Sequence, residues 1–166
     1  MLTRILTAVL LPALVVVVLA GASCKSTQTI ETPGGDVNVT TDGGTVTVED
    51  QEGTAQTTFG TGLKLADDFP SDAPAYPGGN LITVSDASDE ASIKIHSVSW
   101  TTSDSNDTVE DWYRTELEKQ GWNITFSSTT NEVTSIVCAK DARALTVAIS
   151  VAENLTTIAL TVSSGI

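Results

Sequence analysis

Basic residues, histidine, cysteine and aromatics are all scarce in this chain, and each shortage removes a class of function. Against 21 Asp and Glu there are only 8 Lys and Arg, a formal net charge of −13 over 166 residues. Residues 1–23 hold Arg4 and no acid, so without them the charge is −14, from seven basic and 21 acidic residues. Phosphate binding needs clustered Lys and Arg, so nucleic acid is excluded as a partner. Attachment to anionic lipid by charge is excluded for the same reason. An acidic surface instead favours solubility and cationic partners. The single histidine, His96, cannot build a His-based metal site without carboxylates, and it reads as a structural or surface strand residue. Two cysteines, Cys24 and Cys138, do not make a disulfide scaffold. Cys138 lies in an apparent strand and reads as a small buried hydrophobe. Aromatics are 5% of the chain, yet all three Trp and one of the two Tyr fall between positions 100 and 122. One region can therefore build a dense core and another cannot.

Catalytic signatures are missing too. There is no Gly-x-Ser-x-Gly, no phosphate loop and no dinucleotide fingerprint. Gly60-Thr61-Gly62-Leu63-Lys64 lacks the preceding strand and following helix that a phosphate loop requires. No cofactor is expected. Paired carboxylates are the one remaining route to an enzyme, because glycoside hydrolysis needs only two. Asp86, Asp89, Glu90, Asp104 and Asp107 all fall in predicted turns, where they read as solvated charge. The same five acids are weak calcium candidates, provided that both turns lie at one end of a sheet. None has the spacing of an EF-hand loop.

What is present begins with a leader. Met1–Arg4 carries one positive charge, and Ile5–Ala20 is apolar apart from Thr7, with Pro12 inside it. At about 16 residues this run is short for a spanning helix, which needs about 20. It fits the apolar region of a signal peptide. Small residues then lead to a cysteine: Gly21-Ala22-Ser23-Cys24. Ala22-Ser23-Cys24 resembles the lipobox of bacterial lipoproteins, in which the cysteine receives diacylglycerol and becomes the new N-terminus. Gly21 departs from that pattern, which prefers Leu or another aliphatic residue there. Ala20-Gly21-Ala22 is a competing A-x-A site whose cleavage would release a soluble protein starting at Ser23. The resemblance implies that Cys24 is lipidated, that residues 1–23 are a signal peptide, and that the protein sits on the outer side of a membrane in the cell envelope.

Residues 24–66 read as a low-complexity Thr/Gly-rich tether. Between Lys25 and Phe59 the only apolar side chains are Ile30, Val37, Val39, Val46, Val48 and Ala55, too few to offset chain entropy alone. As a random coil such a segment reaches roughly 35 Å. It contains a nine-residue period: Gly34–Asp42, Gly43–Gln51 and a degraded third copy, Glu52–Gly60. Calcium-binding β-rolls also repeat every nine residues, but Val37 and Val39, then Val46 and Val48, stand where that motif needs Gly and Asp. Val-x-Val on either side of Thr41-Asp42-Gly43-Gly44 signals a hairpin over 36–49. A weak hairpin and plain disorder both remain open here.

Residues 67–166 carry the folded domain. Pro70, Pro74 and Pro77 hold its start extended. A short strand is predicted at Leu81–Ser85 and, after an acidic turn Asp86–Glu90, a longer one at Ser92–Thr102, with a bulge near His96-Ser97 reconciling the two phases of its alternation. A helix follows, capped by Asp107 with Glu110 three places on, with Val109, Trp112, Tyr113 and Leu117 as its apolar stripe. Gly121 stands where a left-handed residue ends the helix, so Trp122 can fold back on Leu117. Four more strands follow, with turns at Ser127–Asn131, Lys140–Arg143 and Glu153-Asn154. The expected fold is α+β: an antiparallel sheet of about five to six strands with one amphipathic helix packed on one face, preceded by the flexible tether.

Tyr76-Pro77-Gly78 followed by Val109-x-x-Trp112-Tyr113-x-x-x-Leu117-x-x-x-Gly121-Trp122 resembles small uncharacterised domains of bacterial lipoproteins. That resemblance implies no chemistry. The expectation is a non-enzymatic, lipid-anchored envelope protein presenting a binding or interaction domain to an envelope protein or ligand. The alternative is a secreted or anchored hydrolase that uses carboxylates alone.

Overall fold

The computed structural model describes residues 25–33, 35–89 and 93–164. The leader and Cys24 lie outside the described residues, as does Glu90. The described elements are β1 (Ser26–Thr32), β2 (Gly35–Asp42), β3 (Thr45–Glu49), β4 (Gly53–Phe59), β5 (Asn80–Asp89), β6 (Lys94–Thr102), α1 (Asn106–Lys119), β7 (Asn123–Thr130), β8 (Val133–Lys140), β9 (Arg143–Ala152) and β10 (Leu155–Ser164). All ten strands join one antiparallel sheet in the order β1-β2-β3-β4-β5-β6-β10-β9-β8-β7. Among the described residues no helix is long and apolar enough to cross a membrane.

This corrects the expected fold class. Among the described residues the chain is nearly all sheet, with ten strands and a single 14-residue helix, rather than a five-to-six-stranded α+β domain behind a flexible tether. The segment read as tether supplies β1–β4. Its composition indeed forbids a core of its own, but it does not fold alone. Gly53–Phe59 of β4 pairs residue by residue with Thr83–Asp89 of β5, so the sheet already formed offers a row of backbone donors and acceptors. The nine-residue period is one strand plus one turn of this meander. Gly43-Gly44 closes the β2–β3 hairpin with φ of 53° and 91°, a conformation that glycine adopts without steric penalty.

Two strand boundaries differ for one reason. Asp86–Asp89 is not a turn but the second half of β5, paired with Gln56, Ala55, Thr54 and Gly53. Ser127–Thr130 likewise belongs to β7, and the turn is Asn131-Glu132, both at positive φ. In each case polar residues extend a strand because a neighbour accepts their backbone. The predicted bulge at His96-Ser97 is also absent. His96, Val98 and Trp100 share one buried face in unbroken register with β10, and Ile95 points the other way, 39% exposed. The irregularity lies instead in β5, between Leu81 and Thr83.

α1 connects β6 to the far edge strand β7 and therefore crosses the sheet. Its N-cap is Ser105, whose hydroxyl accepts from the Thr108 N–H at 3.2 Å; Asp107 sits two residues further in, within the first turn, where its charge suits the helix N-terminus. The C-terminus closes as the sequence predicts. Gly121 (φ 84°) donates to Glu118 O at 3.0 Å and Trp122 donates to Leu117 O at 2.9 Å. Val109, Tyr113 and Leu117 are fully buried against Ile136, Leu145, Val147, Ile149, Ile158 and Leu160. The core thus sits between α1 and the β6–β10–β9–β8 part of the sheet. Cys138 is in it, 1% exposed, and burial pushes its thiol up to about 11, consistent with a space-filling role.

Candidate functional site

Beside α1, the same face is covered by the segment from Leu63 to Gly79, an arm without regular structure. Prolines keep it extended, and two polar clusters fix it. At one end Asp72 accepts from Lys140 Nζ (2.6 Å) and from Arg143 Nη1 (3.0 Å) and Nη2 (2.5 Å). Its backbone carbonyl takes the Trp122 indole N–H at 2.7 Å, and the Arg143 guanidinium lies 5.0 Å from the Trp122 ring centre. The Arg143 hydrogen bonds, followed by those of Lys140, hold the Asp72 carboxyl down at about 2. At the other end Tyr76 donates to Asp104 Oδ2 at 2.7 Å, and burial with that carboxylate raises the phenol to about 12. Thr102 donates to the same carboxylate and Thr156 to the Asp104 carbonyl, which ties the arm to β6, β10 and the start of α1. Gly79 completes the fit, because a Cβ there would stand 2.7 Å from Trp100 Cβ.

Where the arm meets the outer flank of α1, an open groove of about 380 Å³ remains. Leu65, Phe69, Pro70 and Pro74 form one wall, Trp112 the other, and Glu116 and Gln120 stand at the rim. Trp112 is the one residue of the predicted helix stripe that is only half-buried; its ring meets Tyr76 edge-on at 5.1 Å. Hydrogen bonds from Gln120 and then Lys119 hold the Glu116 carboxyl below its ordinary value, so the rim carries a Glu116–Lys119 ion pair. An apolar trough with an aromatic wall and a few polar groups at its mouth is what a small-molecule or peptide side-chain site requires. A second hollow, about 430 Å³, lies between the ends of β2 and β3, and its lining of Gly35, Asp36, Asn38, Glu49, Asp50 and Gln51 is polar throughout. It touches no core residue, so the groove along α1 is the better candidate.

The residues singled out in the sequence are scattered. Asp86 lies mid-strand, its Oδ1 2.6 Å from His96 Nδ1. Asp89 ends β5 and accepts from the Ile93 N–H at 2.9 Å. Asp104 and Asp107 are at the opposite end of β6, so the two turns do not meet and the calcium arrangement does not form. No group of three His, Cys, Asp or Glu is placed to hold a metal among the described residues. The carboxylates with a resolved shift, Asp68, Asp72 and Glu116, are all lowered, the wrong direction for a general acid.

Two features escaped the sequence reading. His96 is 2% exposed, and with Nδ1 donating to Asp86 its Nε2 is buried without a partner, beneath the Phe69 ring at 5.8 Å. The broken alternation of Ser92–Thr102 was the signal, since a buried imidazole restores the phase without a bulge. The groove itself needs Phe69 and Trp112, 43 positions apart, to be adjacent, and no local pattern announces that.

Comparison with known proteins bears on this same face. A family model described as START domain-like matches residues 81–157, a little under half of the chain. The match covers most of β5, then β6, α1, β7, β8, β9 and the first residues of β10, which include the helical wall of the groove but neither β1–β4 nor the arm. No curated protein and no solved structure matches the chain. START-like domains are generally ligand-binding rather than enzymatic, and the region around α1 is similar to them.

Proposed function

We propose that this is a lipid-anchored cell-envelope protein, held by Cys24 on the outer side of the membrane, whose groove beside α1 takes a ligand with a small apolar or aromatic group. The groove carries the reading: it is apolar, walled by Trp112, polar at its rim, and one of its walls lies in the region similar to a ligand-binding family. The leader and Ala22-Ser23-Cys24 support the anchor. A rim acid on a chain of charge −13 favours neutral or cationic ligands over anionic ones.

Two measurements test the two halves separately. Intact mass of the native protein reports a diacylglycerol-modified N-terminus at Cys24, and Cys24→Ser abolishes that modification and releases the protein from membranes; an unchanged mass and membrane fraction refute the anchor. For the groove, the neutral fluorophore N-phenyl-1-naphthylamine is expected to brighten on binding, with Trp112→Ala weakening its affinity at least about tenfold. Equal binding by wild type and variant places the fluorophore elsewhere and removes the groove from consideration.

A further inference from the structure

The sheet has a second face, turned away from α1, and its composition is unlike that of the rest of the molecule. Successive strand residues alternate between faces, so the pairing register assigns each residue to one of them. The row Gln28, Val39, Val48, Ala55, Ala87 and Ile95 runs across this second face from β1 to β6. Ser99, Ala159 and Ala148 continue on it across β10 and β9. The exposed large apolar residues of the described chain are Ile30, Phe59, Ile95, Phe126, Val133 and Leu155, and all six lie on this face. Its charged residues, by contrast, reduce to Asp89 at the end of β5, engaged with the Ile93 N–H. Every other strand position on this face is Ser, Thr, Ala, Gly, Asn, Gln or an aliphatic or aromatic residue.

We infer that this face is the interface of a homodimer in which two copies pack sheet on sheet. Three observations select a second copy as the occupant. First, the copies repel through any charged surface, since each carries −13, and this is the broad face where approach brings almost no charge together. Second, the free area is the right size. On β2, Val37, Val39 and Thr41 are already buried, which leaves the seven strands from β4 to β7. At about 4.8 Å per strand and about eight residues per strand they span roughly 29 by 27 Å, near 800 Å², which is what one partner contributes to a standard interface. Third, the centre of that area is small: Ser97, Ser99, Ala148 and Ala159 let a facing sheet approach, while Phe59, Ile95, Phe126, Val133 and Leu155 supply apolar area around them. Two such faces crossing at about −30° give the ordinary packing of a β-sandwich.

Native mass spectrometry of the full-length protein released from detergent is the test. The expected result is a dimer that strengthens with salt, because salt screens the residual repulsion of two acidic copies. Ala159→Glu puts a charge at the centre of the interface and is expected to weaken the dimer at least about a hundredfold. Leu155→Ser, at an exposed position that folding tolerates, weakens it about tenfold. Thr47→Glu, on the opposite face, leaves it unchanged. A monomeric wild type overturns the inference. So does a dimer that survives both Ala159→Glu and Leu155→Ser while circular dichroism shows both variants folded.

Discussion

The β1–β4 half and the β6–β10 half of the sheet share one hydrogen-bond ladder and little else. Along a single cross-strand row on the α1 side, Thr27, Thr40, Thr47 and Gln56 give way to Asp86 and His96, and then to Val162, Leu145, Cys138 and Ile124. The cover stops where the apolar residues stop: α1 and the arm lie over β5–β10, and the threonine rows carry none of the core cluster. In the covered half, stability comes from burial. In the other, burial is confined to Val37, Val39 and Thr41 on the second face of β2, and the rest comes from backbone pairing and from hydroxyl pairs such as Thr27–Thr40 and Thr45–Thr58, both 3.1 Å, each contributing roughly 0.2–1 kcal/mol. A strand therefore needs only a paired neighbour and a compatible turn, whereas a helix in a small domain needs an apolar surface to lie on.

The contrast can be broken most forcefully in the covered half. Leu117→Ala empties a fully buried site between α1 and the sheet and is expected to lower stability by about 3–4 kcal/mol, read from urea denaturation. A loss below about 1 kcal/mol means that α1 is not what holds this half together.

Next in size is the arm. Asp72→Asn removes the acceptor that Lys140 and Arg143 share and is expected to lower stability by about 2 kcal/mol at neutral pH, the equivalent of the drop in the Asp72 value from 3.8 to about 2. Since the folded value is the lower one, this contribution is complete above pH 3.8 and is lost as pH falls toward about 2. Wild type should weaken steeply across that window and the variant much less; parallel curves contradict the assignment.

The seam between the halves is a subtler target. A Cβ on Gly53 would stand 2.1 Å from Ser88 O, so Gly53→Ala must push β4 off β5. The expected loss is about 1–3 kcal/mol, and its location matters more than its size. Amide hydrogen exchange should accelerate in β2–β4 while β8–β10 keep their protection. Uniform acceleration across the chain would show one cooperative unit rather than two.

The smallest effect belongs to the threonine rows. Thr47→Ala is expected to change stability by no more than about 0.5 kcal/mol, within reach of careful thermal melts. A larger loss would make the hydroxyl array a structural element in its own right.

These contrasts also explain which parts were legible in the sequence. The helix was readable at its C-terminus because Gly121 and Trp122 act within one turn, and the β9–β10 turn because Glu153-Asn154 can take the positive φ that a tight hairpin needs. The N-cap was displaced by two residues, since Ser105 and Asp107 are both competent and only the β6 exit decides between them. The threonine strands read as tether because burial is the signal that a sequence displays, and their support comes from β5, which a local pattern does not reveal. Asp86 looked like a turn residue for the same reason; beside Gln56 and His96 it is a strand residue with a partner on each side. The groove was out of reach altogether, because its walls are brought together by Asp72 meeting Arg143, 71 residues away.

The continuity of β1–β4 with β5 has a mechanical consequence. With a coil between them, an anchor at Cys24 and the domain would be orientationally independent, and the groove would sample every direction within roughly 35 Å. Instead, one residue, Lys25, separates Cys24 from β1, and from β1 onward each strand is bonded to the next as far as the arm and α1. A lipid there would grip the rim of a plate rather than the end of a string. The groove would then face a fixed bearing relative to the bilayer, and its ligands would be sampled from one side of the protein.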